Sequence, residues 1–252
     1  MNYVNFRWLA PSVGIALTLL LSACGGTSKT SAPLAQTDST VTAPFAPSPP
    51  GSEIFPEVIQ GWLPEYSSHI ENKVAGDYPS LLGVEDARML TVCPSWSGLT
   101  RGDRERFWSS LLYSIAGPES GRNRTSIYRE TTMSLDSVTG LQIRSEGLLQ
   151  LSYIDVPSYQ YTAGDIDWMK DKAMALSDYA AGATSGNPAR TLLNAYANLN
   201  LGLFIMNRLI ISHPAERLET AFGHYWSTMR ASGSQFSTVM HGLNAKIPEC
   251  FL

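Results

Sequence analysis

The sequence predicts a mainly α fold with one small β-hairpin. Three observations lead there. Apolar residues recur at helical spacing over 104–116 and lie nearly all round a helix over 198–211. Between them, from 128 to 144, the pattern shifts to short, partly alternating runs joined by turn residues. Hydrophobic residues make up 44% of the 252-residue chain and charged residues only 16%, enough apolar side chains to build a core.

Arg104–Ala116 sets Phe107, Trp108, Leu111, Leu112 and Ile115 on one helical face. Asp103 is a suitable N-cap, and Gly117-Pro118 is expected to stop the helix, leaving Glu119 and Ser120 just beyond its end. Tyr128–Leu135 and Leu141–Arg144 read as the two arms of the hairpin, with Asp136-Ser137-Val138-Thr139-Gly140 as its turn. Asp165–Ala181 is a weaker helix. Asn198–Ile211 is apolar nearly all round and is expected to be buried on most sides, with Pro214 beyond it. Ala215–Ser232 reads as a further helix.

Lys and Arg total 18 against 22 Asp and Glu, a formal net charge of -4, which argues against a nucleic-acid partner. The 3 cysteines exclude a disulfide-dense scaffold. Arg7, the apolar run Trp8–Leu21 and the tetrad Leu21-Ser22-Ala23-Cys24 form a positive start, a short apolar core and a small-residue break, the anatomy of a secretory signal over residues 1–23. The run is short for a transmembrane span. The tetrad resembles the lipobox of bacterial lipoproteins. That resemblance implies cleavage before Cys24, lipidation of Cys24 and a membrane partner through the lipid anchor; Gly25, in place of Asp, favours the outer membrane facing the periplasm. Residues 24–52 then form a lipidated Cys and a Pro-, Ser- and Thr-rich tether, with a fully extended reach of about 90 Å at about 3.3 Å per residue. Residues 53–252 are the folded domain. Cys93 and Cys250 are either a disulfide joining the early part of this domain to its far end, or two buried thiols.

Glu119-Ser120 after an apolar helix, Gly147-Leu148-Leu149-Gln150 after the hairpin, and Asn198-Leu199-Asn200-Leu201-Gly202 opening the apolar helix stand in a telling order. Together they resemble the lytic transglycosylases of the lysozyme superfamily. The resemblance spans the central part of the chain and implies a lysozyme-like α+β domain with the hairpin beside an active-site cleft. Leu149 stands where the family has Met, Pro118 directly precedes the acid, and Tyr225 is the best counterpart of a late family tyrosine. Residues 53–100 lie outside the resemblance and are expected to add a helical layer.

What the resemblance implies is cleavage of the MurNAc–GlcNAc bond of peptidoglycan glycan strands. Glu119 would protonate the leaving oxygen and then, as base, let the 6-hydroxyl of muramic acid close a 1,6-anhydro ring. A carboxyl in a partly buried cleft is suited to such proton transfer. Ser120, Glu146, Gly147, Gln150, Tyr153 and Tyr225 are the candidate substrate-binding residues. Gly147 would permit close backbone approach to the sugar, Gln150 would bond an N-acetyl or hydroxyl group, and Tyr153 and Trp226 would stack on sugar faces. Glu146, Glu130 or Asp155, as a second carboxylate, would instead support a hydrolytic, goose-type-like muramidase. A non-catalytic peptidoglycan-binding lipoprotein is the alternative outside enzymology. No cofactor is called for, and no metal: His69, His213, His224 and His241 form neither HExxH nor HxxxH, and there is no CxxC. SxxK, GxSxG and P-loop motifs are absent from the sequence.

Overall fold

A computed structural model describes residues 61–129, 135 and 140–252. The chain divides into two units, Met1–Glu53 and Ile54–Leu252, and every described residue belongs to the second. The signal segment, Cys24 and the tether lie outside the described residues, as do Glu130 and most of the expected hairpin turn.

The unit is helical with a small two-stranded antiparallel sheet, as the hydrophobic periodicity predicts. In chain order the described elements are α1 (Pro64–Gly76), α2 (Pro79–Leu82), α3 (Asp86–Met89), α4 (Arg101–Ser120), β1 (Ile127–Arg129), β2 (Arg144–Glu146), α5 (Asp155–Ser158), α6 (Trp168–Ala180), α7 (Ala195–Ser212), α8 (Leu218–Gly223) and α9 (Phe236–Lys246). No described helix is long and apolar enough to cross a membrane.

Helix α4 organises the rest, packing against α1 on one side and α9 on another, while α1 also contacts α7. Its start is a capping box: the Thr100 hydroxyl accepts from the Asp103 N–H, and the Asp103 carboxylate accepts from the Thr100 N–H. Asp103 is thus the N3 partner of the cap, not the cap itself. The expected stop at Gly117-Pro118 also fails. The helix runs through Pro118 and ends at Gly121, which takes a left-handed φ of 62° and donates its N–H to the Gly117 carbonyl at 2.9 Å. A proline near the end of a helix removes one internal hydrogen bond, and here the glycine cap one turn later closes the last turn. Glu119 therefore sits within the final turn.

The core is dense in aromatic rings. Trp96, Phe107, Trp108 and Phe222 are buried and meet edge to face, with centroids 5.2 to 6.4 Å apart. Trp108 donates its indole N–H to the Leu81 carbonyl and so ties segment 78–100 to α4, while Trp96 donates to the Val84 carbonyl within that segment. Cys93 and Cys250 form a disulfide with a Cα–Cα distance of 4.5 Å.

Two elements depart from expectation. The sheet pairs Ile127 with Glu146 and Arg129 with Arg144, so its second strand starts at the end of the predicted arm; Leu135 and Gln142 form a separate bridge. The predicted helix over 215–232 is broken. Helix α8 stops at Gly223, and 3₁₀ turn Ser227–Met229 follows. The reason is a close return of the chain: Arg230 donates its Nε–H to the Gly223 carbonyl at 2.9 Å, and a Cβ on Gly223 would lie 3.1 Å from Arg230 Cγ. That break turns residues 225–229 toward the end of α4.

Candidate active site

Glu119 is half-buried in the last turn of α4. Its Oε1 accepts a hydrogen bond of 2.6 Å from the hydroxyl of buried Thr228. Thr228 was not legible as a site residue, because the segment that carries it reads as uninterrupted helix. Ser120 does not face outward to a ligand: its hydroxyl bonds the Leu148 carbonyl at 2.8 Å and the Ala116 carbonyl at 3.1 Å. Its role is to dock the end of α4 on the Gly147–Gln150 segment.

Tyr225 reaches the same region from the broken helix. Its hydroxyl donates to Asp155 Oδ2, which also accepts the Ser152 N–H at 2.7 Å. Burial holds the Tyr225 phenol well above its ordinary pKa, with further upward contributions from Asp155, Tyr159 and Glu119, so the carboxylate of Glu119 acts on this ring. Asp155 is 8% exposed. Burial pushes its carboxyl up to about 6, against the opposing pull of the bonds from Tyr225 and Ser152.

This raised pKa fixes a sign. Between about 4 and about 6 the folded protein holds a proton on Asp155 that the unfolded chain, ionising near 3.8, has released. The stability so gained is complete at low pH and is lost as pH rises through about 6. Urea unfolding across this interval should show the parent chain losing about 3 kcal/mol relative to Asp155→Asn, whose side chain does not titrate. Parallel curves for the two proteins would mean that Asp155 ionises normally.

The second and third sequence blocks meet directly. Asn198, buried on α7, accepts the Leu149 N–H on its Oδ1 at 3.0 Å and donates Nδ2–H to the carbonyls of Glu146 and Leu192. Gly147 has φ 77°, and a Cβ there would fall 2.3 Å from Asn198 Nδ2. One turn along α7, a Cβ on Gly202 would fall 2.2 Å from Leu149 Cδ1. The Asn-x-x-x-Gly spacing thus puts a hydrogen-bonding amide and an empty notch on one helix face, each filled by the 147–149 segment. The space that a side chain on Gly147 would take is filled by the Asn198 amide. Asn198→Ala should cost about 1–3 kcal/mol in urea unfolding, because it strands a buried N–H and two carbonyls; an unchanged midpoint would show that the amide is dispensable.

Glu146 also takes a different role from the one expected. Its side chain is 0% exposed and both carboxylate oxygens are bonded by the guanidinium of equally buried Arg190, one at 2.7 Å from Nη1 and the other by Nη2. It cannot line a cleft or serve as a second carboxylate. Burial raises its pKa, and Arg190 opposes that rise. Gln150 is buried with φ 52°, and its amide donates to the Gly147 carbonyl at 2.9 Å, closing the turn rather than facing a ligand. Tyr153 is buried at a recess lined also by Gln142, Arg144 and Tyr179. Trp226 is core, its indole N–H donating to the Leu149 carbonyl at 2.9 Å. Of the residues singled out in the sequence, Glu119, Tyr225 and Asp155 come together, and Thr228 bonds Glu119 there.

A half-buried carboxyl with a hydroxyl donor on one oxygen and a buried acid–phenol pair beside it can exchange a proton with a bound group. This geometry belongs to a helical domain with a small hairpin, a fold that solved structures share. The DslA protein of Bdellovibrio, in its wild-type form and in two glutamate-to-glutamine mutants, matches with a TM-score of 0.54 and 22% identity, over 74% of this chain and 91% of that one. No protein-family model matches the chain, and no curated protein matches it in sequence.

Proposed function

We propose that this chain is a peptidoglycan lytic transglycosylase of the lysozyme superfamily, anchored through lipidated Cys24 in the outer membrane and facing the periplasm. The observation that carries the reading is Glu119: a half-buried acid in the last turn of α4, bonded by Thr228, in a unit where the Glu-Ser, Gly-Leu-Leu-Gln and Asn-x-x-x-Gly blocks pack on one another. The fold shared with DslA is consistent with it.

In the proposed reaction the Glu119 carboxyl gives its proton to the glycosidic oxygen as the bond from that oxygen to C1 of MurNAc breaks. The carboxylate left behind then takes the proton of the MurNAc 6-hydroxyl while O6 bonds to C1. Glu119 ends as it began, and no water is consumed. Two of the three candidate second carboxylates fit this internal route better than a hydrolytic one. Glu146 is held by Arg190, and Asp155 is bonded by Tyr225 and Ser152, which leaves neither placed to activate water.

One observation favours a hydrolytic muramidase instead. The two glutamates exchanged in the DslA mutants stand eleven residues apart, the separation of Glu119 from Glu130 in this chain, and Glu130 as second carboxylate would direct water to C1. Mass spectrometry of muropeptides released from purified sacculi separates the two. Anhydro ends, lighter by one water, are expected; reducing ends would replace the lyase reading with the hydrolase.

A further inference from the structure

Three side chains of metal-ligand type meet well along the chain from any motif that would announce them. His213 is the C-cap of α7, Glu216 lies in the turn that follows, and His224 is the C-cap of α8. One carboxylate oxygen of Glu216 is 3.3 Å from His213 Nδ1 and the other 2.9 Å from His224 Nε2. The two imidazoles stack, centroids 4.2 Å apart and planes 20° from parallel. The three potential ligand atoms all lie within 4.8 Å of one another. A tetrahedral ion with bonds of about 2.0–2.1 Å needs its donors about 3.3 Å apart. The two nitrogen–oxygen contacts, one to each carboxylate oxygen, are near that span, and because stacked rings aim their lone pairs along separate planes, one of the two partly exposed rings must swing out of the stack to bring its nitrogen onto the ion.

The backbone that carries these ligands is held in place independently. Arg88, buried at 8% exposure, spends its guanidinium on three carbonyls of this corner. Nε donates to the Glu216 carbonyl at 2.9 Å, Nη2 to the His213 carbonyl at 3.0 Å and Nη1 to the Ile210 carbonyl at 3.2 Å. Two of the three ligand residues are therefore fixed by one cation that does not compete for their side chains. Such support from outside the ligand set is what keeps a metal site in shape.

We propose that His213, Glu216 and His224 bind one divalent transition-metal ion of the zinc class, through Nδ1, a carboxylate oxygen and Nε2, with a fourth position open to water. Two imidazoles and one carboxylate are borderline ligands that favour zinc over magnesium or calcium, which seek oxygen alone. The ion replaces the His224–Glu216 hydrogen bond and the His213–Glu216 contact. Its effect reaches further than the corner. His224 directly precedes Tyr225, and the same short segment brings Thr228 to Glu119, so an ion on His224 anchors the start of the strand of chain that completes the candidate active site.

The test uses the full-length chain in detergent, without an affinity tag and stripped with chelator. Titration with zinc chloride against a chromogenic chelator should show one saturable equivalent, and magnesium should not displace it. His213→Ala and His224→Ala should each weaken zinc binding by about tenfold or more, while His69→Ala and His241→Ala leave it intact. Cobalt(II), as a spectroscopic stand-in, should give tetrahedral visible absorption in the parent and not in the His213→Ala/His224→Ala double variant. Absence of a saturable equivalent, or zinc and cobalt signals that persist in the double variant, would overturn the proposal. These readouts do not depend on glycan cleavage, so their failure is distinct from failure of the enzymatic reading.

Discussion

Glu119→Gln is expected to slow release of soluble muropeptides from sacculi by about 10²–10⁴-fold, the usual contribution of a positioned proton donor. Glutamine keeps the size of the side chain and retains a carbonyl oxygen to accept the Thr228 hydroxyl. It has no proton of useful acidity to give the leaving oxygen. The variant should therefore unfold at the same temperature as its parent and still bind sacculi. Both properties need measuring beside the cleavage rate, because a loss of fold would mimic a loss of chemistry. A cleavage rate within a few-fold of the parent would remove Glu119 from the reaction. Thr228→Val probes the same acid more gently, taking away its hydroxyl donor while leaving the carboxyl in place.

Arg190→Ala should be the most damaging change to the fold. It leaves the Glu146 carboxylate buried at 0% exposure with neither oxygen bonded by a guanidinium. Breaking a buried pair by removing one partner costs about 3–5 kcal/mol, read as a fall in the urea midpoint. The sign of the pH dependence follows from the same geometry. Burial raises the Glu146 pKa and Arg190 holds it down; without Arg190 the acid must take up a proton to stay inside. Taking up that proton costs more the further the pH stands above the ordinary glutamate pKa of the unfolded chain, so the deficit should be smaller at about pH 5 than at about pH 7. A variant within about 1 kcal/mol of the parent at neutral pH would show that Glu146 finds another partner. Replacing both residues with apolar ones of similar size should recover much of the loss.

These two residues show what a linear sequence reveals. The face of α4 was legible because Phe107, Trp108, Leu111, Leu112 and Ile115 repeat at helical spacing, and all five are buried. Its end was not, because Gly117-Pro118 is a stop signal in isolation and only the left-handed Gly121 beyond it closes the final turn. The three blocks were legible as a group, yet the work of each was not. Gly147 looks like a ligand-site residue in its motif, and with Asn198 and Gly202 it forms a lock between α7 and the turn after the hairpin. Glu146 carries no local sign of burial, since its partner Arg190 lies 44 residues away. Thr228 was hidden by a helical pattern that the contact between Gly223 and Arg230 interrupts. Local periodicity encodes faces; the pairing of distant polar groups depends on how those faces stack.

The bridge between Cys93 and Cys250, 157 positions apart, makes the intervening polypeptide a covalent ring that holds Glu119, Asp155, Tyr225 and Thr228. By loop entropy, closing it disfavours the unfolded ensemble by about 5 kcal/mol. A protease that nicks this ring once releases nothing: the severed ends remain parts of one molecule until a thiol reductant parts them. The ring also has a place in time. Until the second cysteine has been synthesised and oxidised, the nascent domain is held by packing alone, so oxidant supply sets when its resistance to unfolding becomes complete.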